Sequence, residues 1–202
     1  MKIVVTGGMG SGKSTAGRLL AESLGVGLLQ SDALCRDLLQ PGRSGWQGVH
    51  ACWGERFLTA NQEIDRPLLR QTIFDDAEVR LQLEQILHPL VRQIIRQRAA
   101  YEEAHQRNFL AEVPLLFEAG WADDFDWSVT VWAEDNLCAE RIVRRDGVTR
   151  EQAMAALRAQ MPSRDKARAA DSVLENSDTL ETLREQVNQL ARVLRQNPLF
   201  FS

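Results

Sequence analysis

The chain has 202 residues, 44% of them apolar and 26% charged, with a formal net charge of −4. That length suits one compact domain carrying one or two insertions. The acidic balance excludes a global positive field of the kind that recruits nucleic acid or an anionic membrane.

Of the 24 basic residues only Lys2, Lys13 and Lys166 are lysines, which leaves 21 arginines as forked phosphate donors. Cys35, Cys52 and Cys138 are odd in number and form no C-x-x-C pair. They read as reduced, mostly buried thiols of a cytoplasmic protein. His50, His88 and His105 are scattered, so no zinc site is expected. The chain enters a strand directly, with no signal-peptide pattern, and no run reaches the roughly 18 apolar residues of a membrane span.

Met1–Thr6 is a β-branched run suited to a buried parallel strand. Residues 7–15, Gly-Gly-Met-Gly-Ser-Gly-Lys-Ser-Thr, then match the phosphate-loop spacing G-x-x-x-x-G-K-[S/T]. Gly8, Gly10 and Gly12 can take backbone angles closed to other residues, so that successive N–H groups turn inward on phosphate oxygens. Lys13 adds a point charge, the Ser14 hydroxyl suits Mg²⁺, and the helix that follows points its positive end at the anion. That helix is expected over Ala16–Leu24, from Leu19, Leu20, Ala21 and Leu24.

Val26–Gln30 reads as a second strand, and Ser31-Asp32 as the start of a helix reaching about Leu39, stopped by Pro41-Gly42. Asp32 and Arg36 share one helix face just past the strand end, where open α/β proteins bind ligands. Two readings stand for Asp32: a site residue, or a helix cap paired with Arg36. Residues 42–107 contain no convincing strand and read as helices over Trp46–Trp53, Arg66–Phe74 and Ala77–His105. Pro89 is expected to kink or interrupt the last of these. His88 beside it is either a packing residue or a site residue.

Asn108–Val113 is the third strand, ended by Pro114, and Glu118 then falls in a loop or short helix at the same sheet edge. Glu112 faces either the site or solvent. Trp127–Ala133 is the fourth strand. Helices resume from Glu134, with Thr149 and Gln152 spaced as a capping box. Arg141, Arg144, Arg145 and Arg150 crowd this region, as a lid or as a solvated charged face. Asp171–Leu174 is the last strand, and Thr179–Arg195 an amphipathic helix. The terminal Pro198–Phe201 is apolar, suited to packing on a neighbour or to fraying.

The chain resembles the dephospho-coenzyme A kinases nearly end to end. The resemblance is carried by Thr6–Thr15, by Ser31-Asp32 with Arg36 and Pro41-Gly42, and by Ile64-Asp65-Arg66. It continues through Leu87-His88-Pro89, Val113-Pro-Leu-Leu-Phe-Glu118, Arg141 with Arg145-Asp146, Gln160, and Ala170-Asp171 with Asn176. It implies a three-layer, nucleoside-monophosphate-kinase-like α/β fold of the phosphate-loop class with a parallel sheet. The core would be 1–41, 107–134 and 168–202, the helical substrate insertion 42–106 and the arginine-bearing lid 135–167.

The implied activity is ATP- and Mg²⁺-dependent phosphorylation of the ribose 3′-hydroxyl of dephospho-coenzyme A, the last step of coenzyme A synthesis. Asp32 would serve as base or orienting acceptor. Lys13, Arg141 and Arg145 would stabilise the transferring group. Gly8, Gly10, Ser11, Gly12, Lys13, Ser14, Thr15 and Asn176 would hold the nucleotide, with Ser14 on the metal. Asp32, Arg36, His88, Leu115 and Glu118 would hold the acceptor. The family usually reads Asp-Ala-Asp where this chain has Gln30-Ser31-Asp32, which leaves Asp32 the one carboxylate on that loop. An arginine often found four before Gln160 is Ala156 here. No nucleic-acid or membrane partner is expected, and the chain is expected to be a monomer or weak homo-oligomer. A GTP-binding switch would need an N-K-x-D motif, and none is present.

Overall fold

The structure, a computed structural model, describes residues 1–201 apart from the Phe74 side chain. Five strands, β1 (Lys2–Thr6), β2 (Leu28–Gln30), β3 (Phe109–Glu112), β4 (Trp127–Trp132) and β5 (Ser172–Glu175), form one sheet in the order β2-β3-β1-β4-β5. Every pairing is parallel. The central strands β1, β3 and β4 are buried along nearly their whole length, as strands covered on both faces must be. The edge strands β2 and β5 are not.

β3 and β4 lie on opposite sides of β1, so the chain changes direction across the sheet at β1. Open α/β sheets form their ligand crevice at such a point, beyond the carboxyl ends of the strands. The residues that follow β1 are the phosphate loop.

The helices are α1 (Lys13–Leu24), α2 (Ser31–Leu38), α3 (Ser44–Trp53), α4 (Arg66–Asp75), α5 (Ala77–Ala104), α6 (Asp135–Asp146), α7 (Arg150–Arg158), α8 (Ser163–Ala169) and α9 (Leu180–Arg195). Two compact units result, one of residues 1–30 with 98–202, the other of residues 31–97. In the first, α1 and α9 lay Leu20, Leu24, Leu183, Val187, Leu190 and Leu194 against Ile3, Val5, Val129 and Val131. Each such side chain contributes about 1.5–3 kcal/mol on burial. Phe200 packs against this cluster, and Phe201 exchanges two hydrogen bonds with the Asn108 side chain, so the tail is tied down rather than frayed.

The second unit is helical. Asp65 caps α4 by accepting from the Leu68 N–H, with Pro67 in the first turn, where its missing N–H costs nothing. α5 runs unbroken through Pro89, so of the expected kink or interruption the interruption does not occur. An interior proline costs about 3 kcal/mol. The buried stripe of Leu83, Leu87, Val91 and Ile95 outweighs it, at about 1.5–3 kcal/mol per side chain.

Other expectations shift by a few residues. α1 begins at Lys13, not Ala16; β2 starts at Leu28; β5 is displaced one residue towards the C-terminus. The capping box forms as read, with Thr149 Oγ1 accepting from the Gln152 N–H and Gln152 Oε1 accepting from the Thr149 N–H. The cysteines are less buried than expected: Cys138 is buried, Cys35 half-buried and Cys52 exposed. Burial, aided by the Asp32 charge, pushes the Cys35 thiol up to about 11. Among the described residues no helix is long and apolar enough to cross a membrane.

Candidate active site

The phosphate loop is shaped by left-handed backbone at Gly10 (φ 77°) and Gly12 (φ 88°), a region that disfavours any residue with a Cβ. Space forbids a side chain as well. A Cβ on Gly10 would lie 2.6 Å from the Cys138 carbonyl oxygen, and one on Gly12 would lie 2.1 Å from Asn176 Nδ2. Gly8, expected to share this role, is not among the glycines with positive φ; Gly7 is.

α1 then starts with Gly12 at its cap position and no side-chain cap. The Thr15 and Ala16 N–H groups return to the Gly12 carbonyl. Among the described residues the N–H groups of Gly10, Gly12 and Ser14 find no protein acceptor. Open donors at a helix start are an anion site. Lys13 folds back so that its Nζ donates to the Gly8 carbonyl at 3.5 Å, which keeps its charge over the loop. The buried Ser11 hydroxyl has no hydrogen-bond partner.

Beside the loop lies a carboxylate whose orientation the sequence left open. Glu112, the last residue of β3, is 3% exposed. The Ser14 hydroxyl donates to its Oε1 at 2.6 Å, and Gln30 Nε2 donates to its Oε2 at 2.7 Å. Glu112 therefore faces the loop. A serine hydroxyl next to a carboxylate is a hard-oxygen donor set suited to Mg²⁺, which takes one or two protein ligands and fills the rest with phosphate and water. No group of three or more His, Cys, Asp or Glu side chains competes for that role among the described residues.

Three residues from distant parts of the chain brace the loop. Asn176, buried after β5, donates its Nδ2 to the Ser11 carbonyl at 2.8 Å. Arg141 on α6 donates to the Gly10 carbonyl at 3.4 Å and to the Asn176 carbonyl at 2.9 Å. Gln160, in the turn after α7, accepts the Met9 N–H at 3.0 Å. Arg145, one helical turn beyond Arg141, is exposed and grips Asp146 through two bonds of 2.9 and 2.8 Å.

Glu118 lies in the turn after β3, its side chain 24% exposed. Its Oε1 accepts from Lys166 Nζ at 2.7 Å and from the Met161 N–H at 3.1 Å. Lys166, fully buried on α8, also donates to the Pro114 carbonyl at 2.9 Å. A lysine in a chain that otherwise chooses arginine was the available signal for this residue; Gln160 carried no signal of its own beyond the family pattern. Leu115 is half-buried in the same turn.

The remaining site residues belong to the unit of residues 31–97. Asp32 is exposed in the first turn of α2, where the helix dipole favours a carboxylate. Among the described residues no ion pair joins it to Arg36, so the cap-and-pair reading of Asp32 loses its pair. The Arg36 side chain is exposed, while its carbonyl accepts from Arg66 Nη2 at 3.1 Å. His88 is half-buried on α5.

Comparison with known proteins identifies the family. The family profile described as dephospho-CoA kinase matches residues 1–182. A dephospho-CoA kinase of Carboxydothermus hydrogenoformans is 38% identical over 188 residues, 92% of this chain and 90% of that one. One from Geobacillus kaustophilus is 34% identical over 197 residues, 97% of this chain and 96% of that one.

Among solved structures, a Thermus thermophilus protein superposes with a TM-score of 0.73 at 33% identity, covering 96% of this chain and 97% of that one. Shikimate kinase from Acinetobacter baumannii, at 20% identity and a TM-score of 0.59, covers 98% of this chain and 94% of that one and shares the fold alone. With its parallel five-stranded sheet and phosphate loop, the chain has the phosphate-loop kinase fold, and it belongs to the dephospho-CoA kinase family.

Proposed function

We infer that this protein transfers the γ-phosphoryl group of ATP to the ribose 3′-hydroxyl of dephospho-CoA, giving coenzyme A and ADP. The observation that carries the phosphoryl chemistry is the loop of open amides with Lys13 above it and the Ser14–Glu112 pair beside it. Family membership carries the choice of acceptor.

Phosphoryl transfer passes through a loose transition state, so the protein mainly aligns the reactants and stabilises spread charge. The open amides of Gly10, Gly12 and Ser14 and the Lys13 ammonium hold the β- and γ-phosphates. Asn176 secures the same loop from behind through the Ser11 carbonyl. Ser14, with Glu112 next to it, would hold Mg²⁺, which would supply positive charge against that of the phosphates.

Arg141, already against the loop, and Arg145, on release from Asp146, stabilise charge on the group in transit. The segment 135–167 thereby serves as the lid. Asp32 accepts or orients the proton of the attacking hydroxyl. Arg36, His88, Leu115 and Glu118 bind dephospho-CoA, with Glu118 anchored by Lys166. Closure over the substrates excludes water, which otherwise competes as acceptor.

The test is direct: purified protein with ATP, Mg²⁺ and dephospho-CoA, products read by mass spectrometry, in parallel with adenosine and shikimate as acceptors. A product one phosphoryl group heavier than dephospho-CoA is expected. ADP release with another acceptor and none with dephospho-CoA would overturn the assignment.

A further inference from the structure

Gln30 is the last residue of β2 and sits in register with Glu112 on the neighbouring parallel strand. In-register residues on adjacent strands point to the same face, so the two side chains meet. Gln30 Nε2 donates to Glu112 Oε2 at 2.7 Å, while the other carboxylate oxygen receives the Ser14 hydroxyl at 2.6 Å. The site is tight. A Cβ added at Gly17 on α1 would lie 4.0 Å from the same Oε2 and 3.4 Å from Leu28 Cδ2. Glu112 is thus held from two sides, by two neutral donors, in a buried place.

The neutrality of these donors has a physical consequence. A buried carboxylate needs hydrogen-bond donors to offset the loss of water. A lysine or arginine at position 30 would supply them, but its charge would oppose an incoming divalent cation. A second carboxylate there would repel Glu112 and has no proton to donate to it. A carboxamide does neither. It occupies Oε2, fixes the rotamer and leaves Oε1 turned towards Ser14.

We propose that Gln30 is a positioning residue for the divalent cation: its carboxamide clamps Glu112 so that Glu112 Oε1 and Ser14 Oγ present one preset pair of oxygens to the metal of the metal–nucleotide complex. The proposal rests on the kinase reading above and deepens it. Gln30 touches neither nucleotide nor acceptor; it acts through Glu112.

The probe is Mn²⁺ titrated into ADP-loaded protein, with the protein in excess over ADP and free Mn²⁺ read by electron paramagnetic resonance. ADP affinity without metal is measured alongside by calorimetry. Gln30→Met keeps the side-chain length and removes the donor. Loss of a hydrogen bond to a charged group predicts about tenfold weaker Mn²⁺ binding, with metal-free ADP affinity changed less than twofold. In a Glu112→Gln background the same substitution is expected to have almost no further effect, because the partner it acts through is gone.

If Gln30→Met does not fold, Gln30→Asn, one methylene short of Glu112, replaces it in both backgrounds with the same expectations. Unchanged Mn²⁺ affinity, an equal fall in metal-free ADP binding, or a full effect surviving in Glu112→Gln would each overturn the proposal. Wild-type protein that binds no ADP at all would overturn the kinase reading, and this inference with it. Wild type that binds Mn²⁺ and ADP beside an indifferent Gln30→Met overturns the inference alone.

Discussion

The phosphate-loop corner and the helical unit of residues 31–97 are held together by different kinds of contact. The loop is pinned by partners 165, 151, 131 and 98 residues away in sequence: Asn176 on Ser11, Gln160 on Met9, Arg141 on Gly10, and Glu112 on Ser14. In the helical unit the hydrogen bonds reach less far, 4 residues from Gln40 to Arg36 and from Thr72 to Leu68, 16 from Trp46 to Gln62 and 30 from Arg66 to Arg36, and apolar packing does the rest. There Leu87 reaches within 2.9 Å of where a Gly45 Cβ would stand. A loop that must hold a polyphosphate is over-determined by remote polar braces, which leave it nothing to reorganise when charge develops.

That contrast breaks first at the chemistry. Removing a charge-stabilising arginine costs ~10³–10⁵ in rate, whereas removing a general base costs ~10²–10⁴. Arg145→Ala is therefore expected to lower kcat at least as far as Asp32→Asn, both as folded proteins that still bind ADP. Unchanged turnover in Arg145→Ala would leave Arg145 as the surface partner of Asp146 and put the stabilising charge on Lys13 and Arg141.

Lys166→Met tests the bracing itself. Severing a buried ion pair costs about 3–5 kcal/mol. The Glu118 side chain is 24% exposed and keeps the Met161 N–H, so roughly 2–3 kcal/mol is expected here, read from urea unfolding. A loss below the precision of that measurement would mean that the turn after β3 does not depend on α8.

Asn176→Ala removes the neutral bond to the Ser11 carbonyl. About 1 kcal/mol, or roughly fivefold weaker ADP binding, should follow in calorimetry. Full affinity would show that the loop holds its shape without this brace.

The smallest effect sharpens the other side. Gly45→Ala places a Cβ 2.8 Å from the Leu38 carbonyl oxygen. Overpacking of about 1–3 kcal/mol, less about 1 kcal/mol gained in helix propensity, predicts a modest fall in thermal stability. ADP affinity should stay within twofold, because every brace on the loop lies outside residues 31–97. An ADP affinity that fell along with stability would show the two regions to be coupled.

Much of the fold was legible because it is written in short-range chemistry. β-branched runs, a glycine loop, a capping box at Thr149 and the α9 stripe each declare themselves within about a dozen residues. Pro89 left interruption open because its cost is local while the compensation is tertiary: a proline rule counts one lost hydrogen bond and cannot see the four buried side chains that outweigh it. Glu112 was ambiguous for the same reason. Strand parity says that a side chain faces one side or the other, but not which side carries the loop.

The amino-acid order determined that a polyphosphate cradle follows the first strand, since glycine spacing, lysine and helix start lie within nine residues and need no distant partner. Only the tertiary structure decided which groups hold that cradle in shape. Gln30, Glu112, Gln160 and Asn176 act across gaps that the folded sheet closes, and hydrogen bonds, strong only below about 3.2 Å, record which groups the fold has brought together.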